Sequence, residues 1–330
     1  MKVAAIQNKP KLVVLGGADH PKPAGMDEIE ARADVHYADA DSLAEVIEGA
    51  DALLLWDFFS SALKDAWPHA DKLRWVHVAA AGVDAILFDE LAASDVVITN
   101  AHGTFDRPIA EYVLAAVFAH NKDLYRSHDL QRGRTWQHRE TRLVAGSKAL
   151  VVGTGGIGRE TARLLSSAGI EVRGVGRTAR ENDDDFGTVV ASSGLVEHVG
   201  WADHVVVIAP LTEQTRGMIN AEVLAAMDPS AHLINVGRGQ LVDEAALIEA
   251  LMSGSIAAAS LDVFEEEPLP ESNPLWDLPS VHVSAHMSGD VIGWRGSLGE
   301  QFKENAIRWL DGGELANVVD KERGYVSGSK

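Results

Sequence analysis

The chain has 330 residues, a length that suits about two domains, and its 46% hydrophobic and 24% charged residues are those of an ordinary globular protein. Twenty-nine Lys and Arg stand against 49 Asp and Glu, a formal charge of −20, which argues against nucleic acid or an anionic membrane as a partner and obliges any anionic substrate to find a local cationic site. With no cysteine, disulfides, thiolate catalysis and cysteine–zinc sites are excluded. The start of the chain makes a poor secretory leader and no apolar run is long enough for a bilayer, so a cytoplasmic enzyme is expected.

Short apolar runs then alternate with helix-length patterns. Residues 12–15, 35–37, 52–56, 75–78 and 96–99 read as strands, with amphipathic stretches such as 41–48 between them. This rhythm predicts βαβ units and a parallel sheet with helices on both faces. Residues 110–124 repeat apolar side chains at helical spacing behind Pro108, which predicts a long helix bridging two domains. A polar loop carrying Trp136 is expected over 126–142. A second series follows, with strands at 149–152, 171–175, 204–208, 232–236, 256–261 and 281–284. Helices are expected at 158–168, at 242–251 with Asp243 capping near its start, and at 298–310 with Gly312 and Gly313 ending it.

The first strand of that second series runs directly into Gly153-Thr154-Gly155-Gly156-Ile157-Gly158, and a helix pattern follows at once. Glycine spacing alone is weak evidence, but a strand before and a helix after are what a dinucleotide site requires. The first glycine permits the turn, the second lets backbone approach a pyrophosphate, and the third lets helix pack on strand. NAD enzymes place an acid about 20 residues on to hold the ribose 2′-OH. Here the second strand ends Val175-Gly176-Arg177-Thr178, with no carboxylate. Arg177 suits a 2′-phosphate, so NADP is favoured over NAD, although the acidic run Asp183-Asp184-Asp185 nearby could oppose a phosphate.

Three titratable residues stand at the ends of expected strands: Arg238 after Asn235-Val236-Gly237, Glu267 before Pro268, and His286 after Ser284-Ala285. In open α/β sheets the carboxyl ends of strands border the ligand crevice. An arginine fork can hold a carboxylate and polarise an adjacent ketone. A histidine can give the ketone oxygen a proton as hydride arrives, or take one in the reverse direction. A glutamate can hold that imidazole and stabilise its charged form.

At these residues the sequence resembles the D-isomer-specific 2-hydroxyacid dehydrogenases. The likeness is carried by residues 233–243 around Arg238, by 260–270 with Glu267, by Ala209-Pro210-Leu211-Thr212, by Ala81-Gly82-Val83-Asp84, and by Asn100 with Ala110-Glu111. It extends from about Val78 to Tyr325. The resemblance implies that Arg238, Glu267 and His286 are catalytic and that backbone N–H groups of Ala81, Gly82 and Val83 hold the substrate carboxylate. It also implies that Gly153, Gly155, Gly156, Ile157, Gly158, Arg177, Thr178, Ala209, Pro210, Val236, Gly237, Arg238, Asp262, His286, Ser288 and Gly289 line the cofactor. Asp262 would bond the nicotinamide carboxamide.

The expected architecture is two doubly wound parallel-sheet domains of the Rossmann or flavodoxin kind. Residues 1–104 with 288–330 would bind substrate and 105–287 the dinucleotide, with the active site in the cleft between them. The expected activity is NADP-favouring reduction of a small 2-oxo acid of the glyoxylate/hydroxypyruvate type, by a homodimer without metal. His282 and His286 are four apart but lack the other ligands of a metal site. The resemblance departs at Ala285, where proline is usual, and at Met287-Ser288-Gly289-Asp290, so the substrate side chain is left open. Trp56, Trp136 and Trp294 are candidates for the pocket. A phosphoglycerate dehydrogenase-like enzyme is the alternative, but only Arg74 stands near Ala80 to meet a phosphate. A dinucleotide-sensing, corepressor-like binding protein is the other.

Overall fold

The computed structural model describes residues 9–17 and 21–326; residues 1–8, on which the leader reading rests, lie outside them. Contacts divide the chain into two compact units, 1–104 with 291–330 and 105–290.

The first unit carries five parallel strands, β1 (Lys11–Leu15), β2 (Asp34–Ala38), β3 (Ala52–Leu55), β4 (Trp75–Val78) and β5 (Val97–Asn100), in the order β2-β1-β3-β4-β5. All four residues of β3 and of β4 are buried. This is why β3 reads as an unbroken apolar run and β4 as one interrupted only by the buried His77: a parallel sheet is covered on both faces. Strand order reverses between β1 and β3, the switch point of a flavodoxin-like sheet. The helix Trp294–Leu310 belongs to this unit and begins four residues before the expected start. Its Phe302 stacks on buried Trp75, ring centroids 5.7 Å apart, and the Trp75 indole N–H donates to Thr99 Oγ1 at 2.9 Å.

The second unit opens with the helix Asp106–Asn121, which places Pro108 in its first turn. The expected loop is corrected in part. Leu124–Arg132 is a helix, and the irregular residues 133–143 that follow it are mostly exposed, with Trp136 wholly so. Polar residues surround this helix, so no apolar stripe announced it. It is tied instead by Arg139, whose guanidinium donates to the carboxylate of Asp123 and to Ser127. The strands are β6 (Lys148–Val152), β7 (Glu171–Gly176), β8 (Arg180–Asp183), β9 (Gly187–Ala191), β10 (His204–Val207), β11 (His232–Asn235), β12 (Ala258–Leu261) and β13 (Val281–Val283). Their order is β13-β12-β11-β10-β6-β7-β9-β8, parallel except for β8 on β9, with the switch point between β6 and β10. Two doubly wound α/β sheets on one chain are therefore present. Asp243 caps Glu244–Ser253 by accepting from the Ala246 N–H at 3.0 Å.

At the amino ends of β10 and β11 lies a histidine cluster. The rings of His120 and His232 stack at 4.4 Å, those of His204 and His232 meet edge to face at 5.6 Å, and His282 stacks on Tyr125. His232 Nε2 meets Ser260 Oγ at 2.9 Å. Among the described residues, both ring nitrogens of His204 and Nδ1 of His232 have no partner. Burial, and after it the neighbouring His120, lowers His204 to about 3 and His282 to about 4, and it lowers His232 far as well. Arg142 adds to the lowering at His204, while Asp129 opposes it at His282. Such groups bind protons in the unfolded chain before they do in the folded one. Their contribution is complete above the unfolded value of 6.5 and is lost as pH falls from there toward 4 and 3. For the two fully buried imidazoles, stability should fall by about 3 kcal/mol per pH unit below pH 6. Calorimetry at pH 7.5 and 5.0 checks this, and an unchanged Tm would refute it.

Candidate functional site

The glycine loop stands at the carboxyl end of β6, beside the switch point. Gly153 has φ +119° and donates its N–H to Val175 O at 2.9 Å; a Cβ there would come within 2.7 Å of Ala209 N, so only glycine fits. A Cβ on Gly158 would overlap the Gly153 carbonyl, where helix lies tight on strand. Gly155 differs from both: nothing lies within 4 Å of its Cβ position. It is the N-cap of Gly156–Ser167 and no side chain caps that helix. The first-turn N–H groups of Gly156, Ile157 and Gly158 therefore lack intrahelical acceptors. An open backbone face beside these donors, at the positive end of a 12-residue helix, fits a pyrophosphate.

Beyond this loop, β7 ends at Gly176, with Arg177 and Thr178 exposed. Thr154 packs closely on the end of this strand. A Cβ on Gly176 would stand 3.1 Å from Thr154 Oγ1, and one on Gly174 would stand 3.0 Å from Thr154 Cγ2 and from the Phe186 ring. Any side chain at either position would have to displace Thr154 by a few tenths of an ångström. The acidic run is mostly neutralised. Asp183 binds Arg159 at 3.0 Å and Arg180 at 2.7 Å, and Asp185 binds Arg159 at 2.6 Å and Arg163 at 2.7 Å. Burial opposes ionisation of Asp183, but the arginines outweigh it and hold its carboxyl far below the usual range.

The structure brings Arg238, Glu267 and His286 together. Asn235, buried at the end of β11, shapes the first turn: its Oδ1 accepts from the Gly237 N–H at 3.1 Å and its Nδ2 donates to Arg238 O at 2.9 Å. The Arg238 guanidinium donates to Gly237 O at 2.8 Å. A Cβ on Gly239 would overlap the Phe264 carbonyl, so the Arg238 turn packs directly on the segment leading to Glu267. Glu267 Oε1 accepts from the Phe264 N–H at 2.9 Å and Oε2 meets His286 Nδ1 at 2.7 Å. Partial burial pushes the Glu267 carboxyl up, but the bonds to His286 and Phe264 and the charge of Arg238 bring it below its ordinary value. It is therefore an anion at neutral pH.

His286 itself has φ +50°, a left-handed conformation that costs a non-glycine residue on the order of 1 kcal/mol. Asp262 holds it there. The Asp262 carbonyl accepts from the His286 N–H at 2.8 Å. The buried Asp262 carboxylate accepts from the Met287 and Ser288 N–H groups, both at 2.9 Å, and from Ser284 Oγ at 2.5 Å. Tyr112 extends the chain, its phenol 2.6 Å from Ser284 Oγ and pushed by burial to about 12. Asn235, Gly239, Ser284 and Tyr112 were missed as supports of the site by the sequence reading. Tyr112 lies 172 residues from Ser284, and only folding joins them. Gly239 alone carried a signal, as a glycine within a conspicuous motif.

Of the other expected lining residues, Ala209 and Val236 are buried, Pro210 is exposed, and Gly237 is packed so that a Cβ would meet Leu241 at 2.8 Å. Ser288 is buried and Gly289 packs on Phe105. Trp56 is buried, its indole N–H donating to Pro21 O at 2.9 Å, which makes it a structural residue. Among the described residues, no group of three or more ligand side chains is arranged to hold a metal, and no helix is long and apolar enough to cross a membrane.

In the first unit, residues 79–83 follow β4. Their carbonyls are engaged: Ala80 O accepts from the Ala101 N–H at 2.9 Å, Ala81 O from Asn100 Nδ2 at 2.5 Å, and Val83 O from the Ile86 and Leu87 N–H groups. The N–H groups of Ala81, Gly82 and Val83 have no acceptor among the described residues. Consecutive backbone donors of this kind are what an anion-binding loop requires.

A glycine loop at the switch point of a doubly wound sheet, with an imidazole–carboxylate pair on the segments that follow β12 and β13 of the same sheet, is what an oxidoreductase dependent on a nicotinamide dinucleotide requires. Comparison with known proteins agrees. The NAD binding domain of D-isomer specific 2-hydroxyacid dehydrogenases matches residues 114–288. The glyoxylate reductase of Thermococcus onnurineus is 31% identical, over 89% of this chain and 90% of its own. Among solved structures, a D-isomer specific 2-hydroxyacid dehydrogenase from Xanthobacter autotrophicus, in complex with NADPH and MES, is 33% identical with a TM-score of 0.82, covering 96% of this chain and 100% of that one. An NADPH-dependent glyoxylate/hydroxypyruvate reductase from Sinorhizobium meliloti, in complex with NADP and sulfate, is 27% identical with a TM-score of 0.81 and the same coverage. The chain belongs to the D-isomer specific 2-hydroxyacid dehydrogenase family and is an enzyme acting on CH–OH groups.

Proposed function

We propose that this enzyme reduces a small 2-oxo acid of the glyoxylate/hydroxypyruvate type to the D-2-hydroxy acid, with His286 as acid in reduction and base in oxidation. The observation that carries the reading is the 2.7 Å bond from His286 Nδ1 to Glu267. With Nδ1 held by an anion, Nε2 is left to exchange the proton. Arg238 takes the substrate carboxylate and polarises the ketone through its planar fork. The N–H groups of Ala81, Gly82 and Val83 bind the same carboxylate. The bound dihydronicotinamide supplies the hydride.

On this reading residues 105–287 bind the dinucleotide and 1–104 with 288–330 the acid. Gly153, Gly155, Gly156, Ile157 and Gly158 receive the pyrophosphate. Ala209, Pro210, Val236, Gly237, Ser288 and Gly289 line the nicotinamide side. Asp262 has one lone-pair direction remaining on Oδ2 for the carboxamide. NADP is preferred to NAD. The absence of an acid at Gly176, Arg177 and Thr178 exposed beside it, and the pairing of Asp183 and Asp185 with arginines support that preference. The family resemblance supports a homodimer, the lack of cysteine is compatible with a reducing cytoplasm, and the charge of −20 disfavours nucleic acid and anionic membranes.

Purified protein incubated with a panel of 2-oxo acids should oxidise NADPH, and should bind NADPH about tenfold or more tighter than NADH, the size of effect a charge-assisted phosphate contact gives. Oxidation of neither cofactor with any acid would overturn the enzyme reading. Tighter binding of NADH would overturn the cofactor preference alone.

A further inference from the structure

Tyr112 is a half-buried phenol to which the proposed reaction gives no part. It stands in the second turn of the helix Asp106–Asn121. Its hydroxyl lies 2.6 Å from Ser284 Oγ, and Ser284 Oγ lies 2.5 Å from Asp262 Oδ1. The three residues come from three elements: this helix, the segment after β13 and the segment after β12.

The acceptors fix which way these protons point. The Asp262 carboxylate is wholly buried and takes the Met287 N–H on Oδ1 and the Ser288 N–H on Oδ2, both at 2.9 Å. A carboxylate has only acceptor sites, so the single proton of Ser284 is directed to Oδ1. Toward Tyr112 the serine oxygen can then only accept, and the phenol donates. Burial, joined by the charge of Asp262 and opposed by the bond to Ser284, pushes the phenol up to about 12, so it keeps its proton at neutral pH. The chain from Tyr112 through Ser284 to Asp262 therefore runs one way, and each bond polarises the next.

Ser284 and Met287 fill both lone pairs of Oδ1, and Ser288 takes one of Oδ2. The carboxylate is fixed in rotation, with one acceptor direction left. Without the phenol, the Ser284 hydroxyl is held by one bond instead of two and can turn to another staggered position. Oδ1 then loses a donor, and the anchor of the two residues directly after His286, itself at φ +50°, loosens.

We propose that Tyr112 is a positioning residue for the reaction: acting through Ser284, it fixes the Asp262 carboxylate, and with it the turn of His286 and the acceptor direction offered to the nicotinamide carboxamide. The inference rests on the reading as a 2-oxo acid reductase. A tyrosine that only tethered the helix to the sheet would stabilise the fold and leave the transfer rate alone.

Tyr112→Phe keeps the ring and removes the hydroxyl. In single-turnover reduction of the fastest 2-oxo acid by bound NADPH, its transfer rate should fall about threefold to tenfold, the worth of one uncharged hydrogen bond, while NADPH affinity changes by less than about twofold. Ser284→Ala should lower the rate at least as far, and Tyr112→Phe should cost nothing more in that background, because the phenol acts through the serine. In the cofactor-free protein, amide hydrogen exchange at Met287 and Ser288 should quicken in Tyr112→Phe by about the same threefold to tenfold. A transfer rate within about twofold of the parent, whatever the change in Tm, would overturn the inference. Losses that multiply in the double variant would overturn it too, since Tyr112 would then act independently of Ser284, as would unchanged exchange at residues 287 and 288. A parent that turns over no acid would bring down the reductase reading instead, and exchange in the cofactor-free protein would then decide whether the phenol holds the turn.

Discussion

Replacing His286 with alanine should lower kcat by about a thousandfold, within the range that a positioned acid–base group supplies, while NADPH affinity changes by less than about threefold. The separation follows from the architecture. The pyrophosphate cradle is made by backbone at 153–158, on the loop after β6, and His286 lies beyond β13, at the far edge of the sheet. Its imidazole is oriented by Glu267 at 2.7 Å and its backbone by Asp262, so its side chain can be removed without disturbing the glycine turn. Single-turnover rates and equilibrium titration with NADPH would check both halves. If affinity collapsed together with rate, His286 would be a cofactor contact and the proton would have to come from another group.

The second large effect is expected at Asp262. Asp262→Ala should destabilise the protein by about 3 kcal/mol or more, because the Met287 and Ser288 N–H groups and the Ser284 hydroxyl lose a buried charged acceptor at once. In a domain of this size that is a fall in Tm of roughly 6–12 °C. Turnover should fall as well, because His286 keeps its left-handed backbone only while the residues after it are anchored. Asp262→Asn, which retains an acceptor, should recover part of the stability. A Tm within about 2 °C of the parent in Asp262→Ala, less than 1 kcal/mol on that scale, would show that the turn is held by other contacts.

Much of this could be read along the chain because it is local. β3 and residues 149–152 of β6 appear as unbroken apolar runs, since each is buried on both faces. The glycine loop is legible because three steric demands fall within six consecutive residues. What escaped was non-local or polar. The hairpin of β8 and β9 has no apolar alternation in its first strand, Arg-Glu-Asn-Asp, and is fixed by arginines more than 15 residues earlier in the chain. Leu124–Arg132 was read largely as loop because its partners, Arg139 and His282, are supplied by tertiary structure.

The sequence by itself determined that this chain folds as two doubly wound α/β units, and it singled out Gly153–Gly158 as the proposed dinucleotide loop and Arg238, Glu267 and His286 as the proposed catalytic set. Each of those conclusions depends on residue type and short spacing. Only the tertiary structure decided how closely Thr154 packs on Gly174 and Gly176, which charges the acidic run answers, and how Asp262 holds the turn of His286. These depend on which atoms meet across tens or hundreds of residues. Side-chain volume at Thr154 and unsatisfied N–H groups at Ala81, Gly82 and Val83 acquire meaning only once strands from distant parts of the chain lie together.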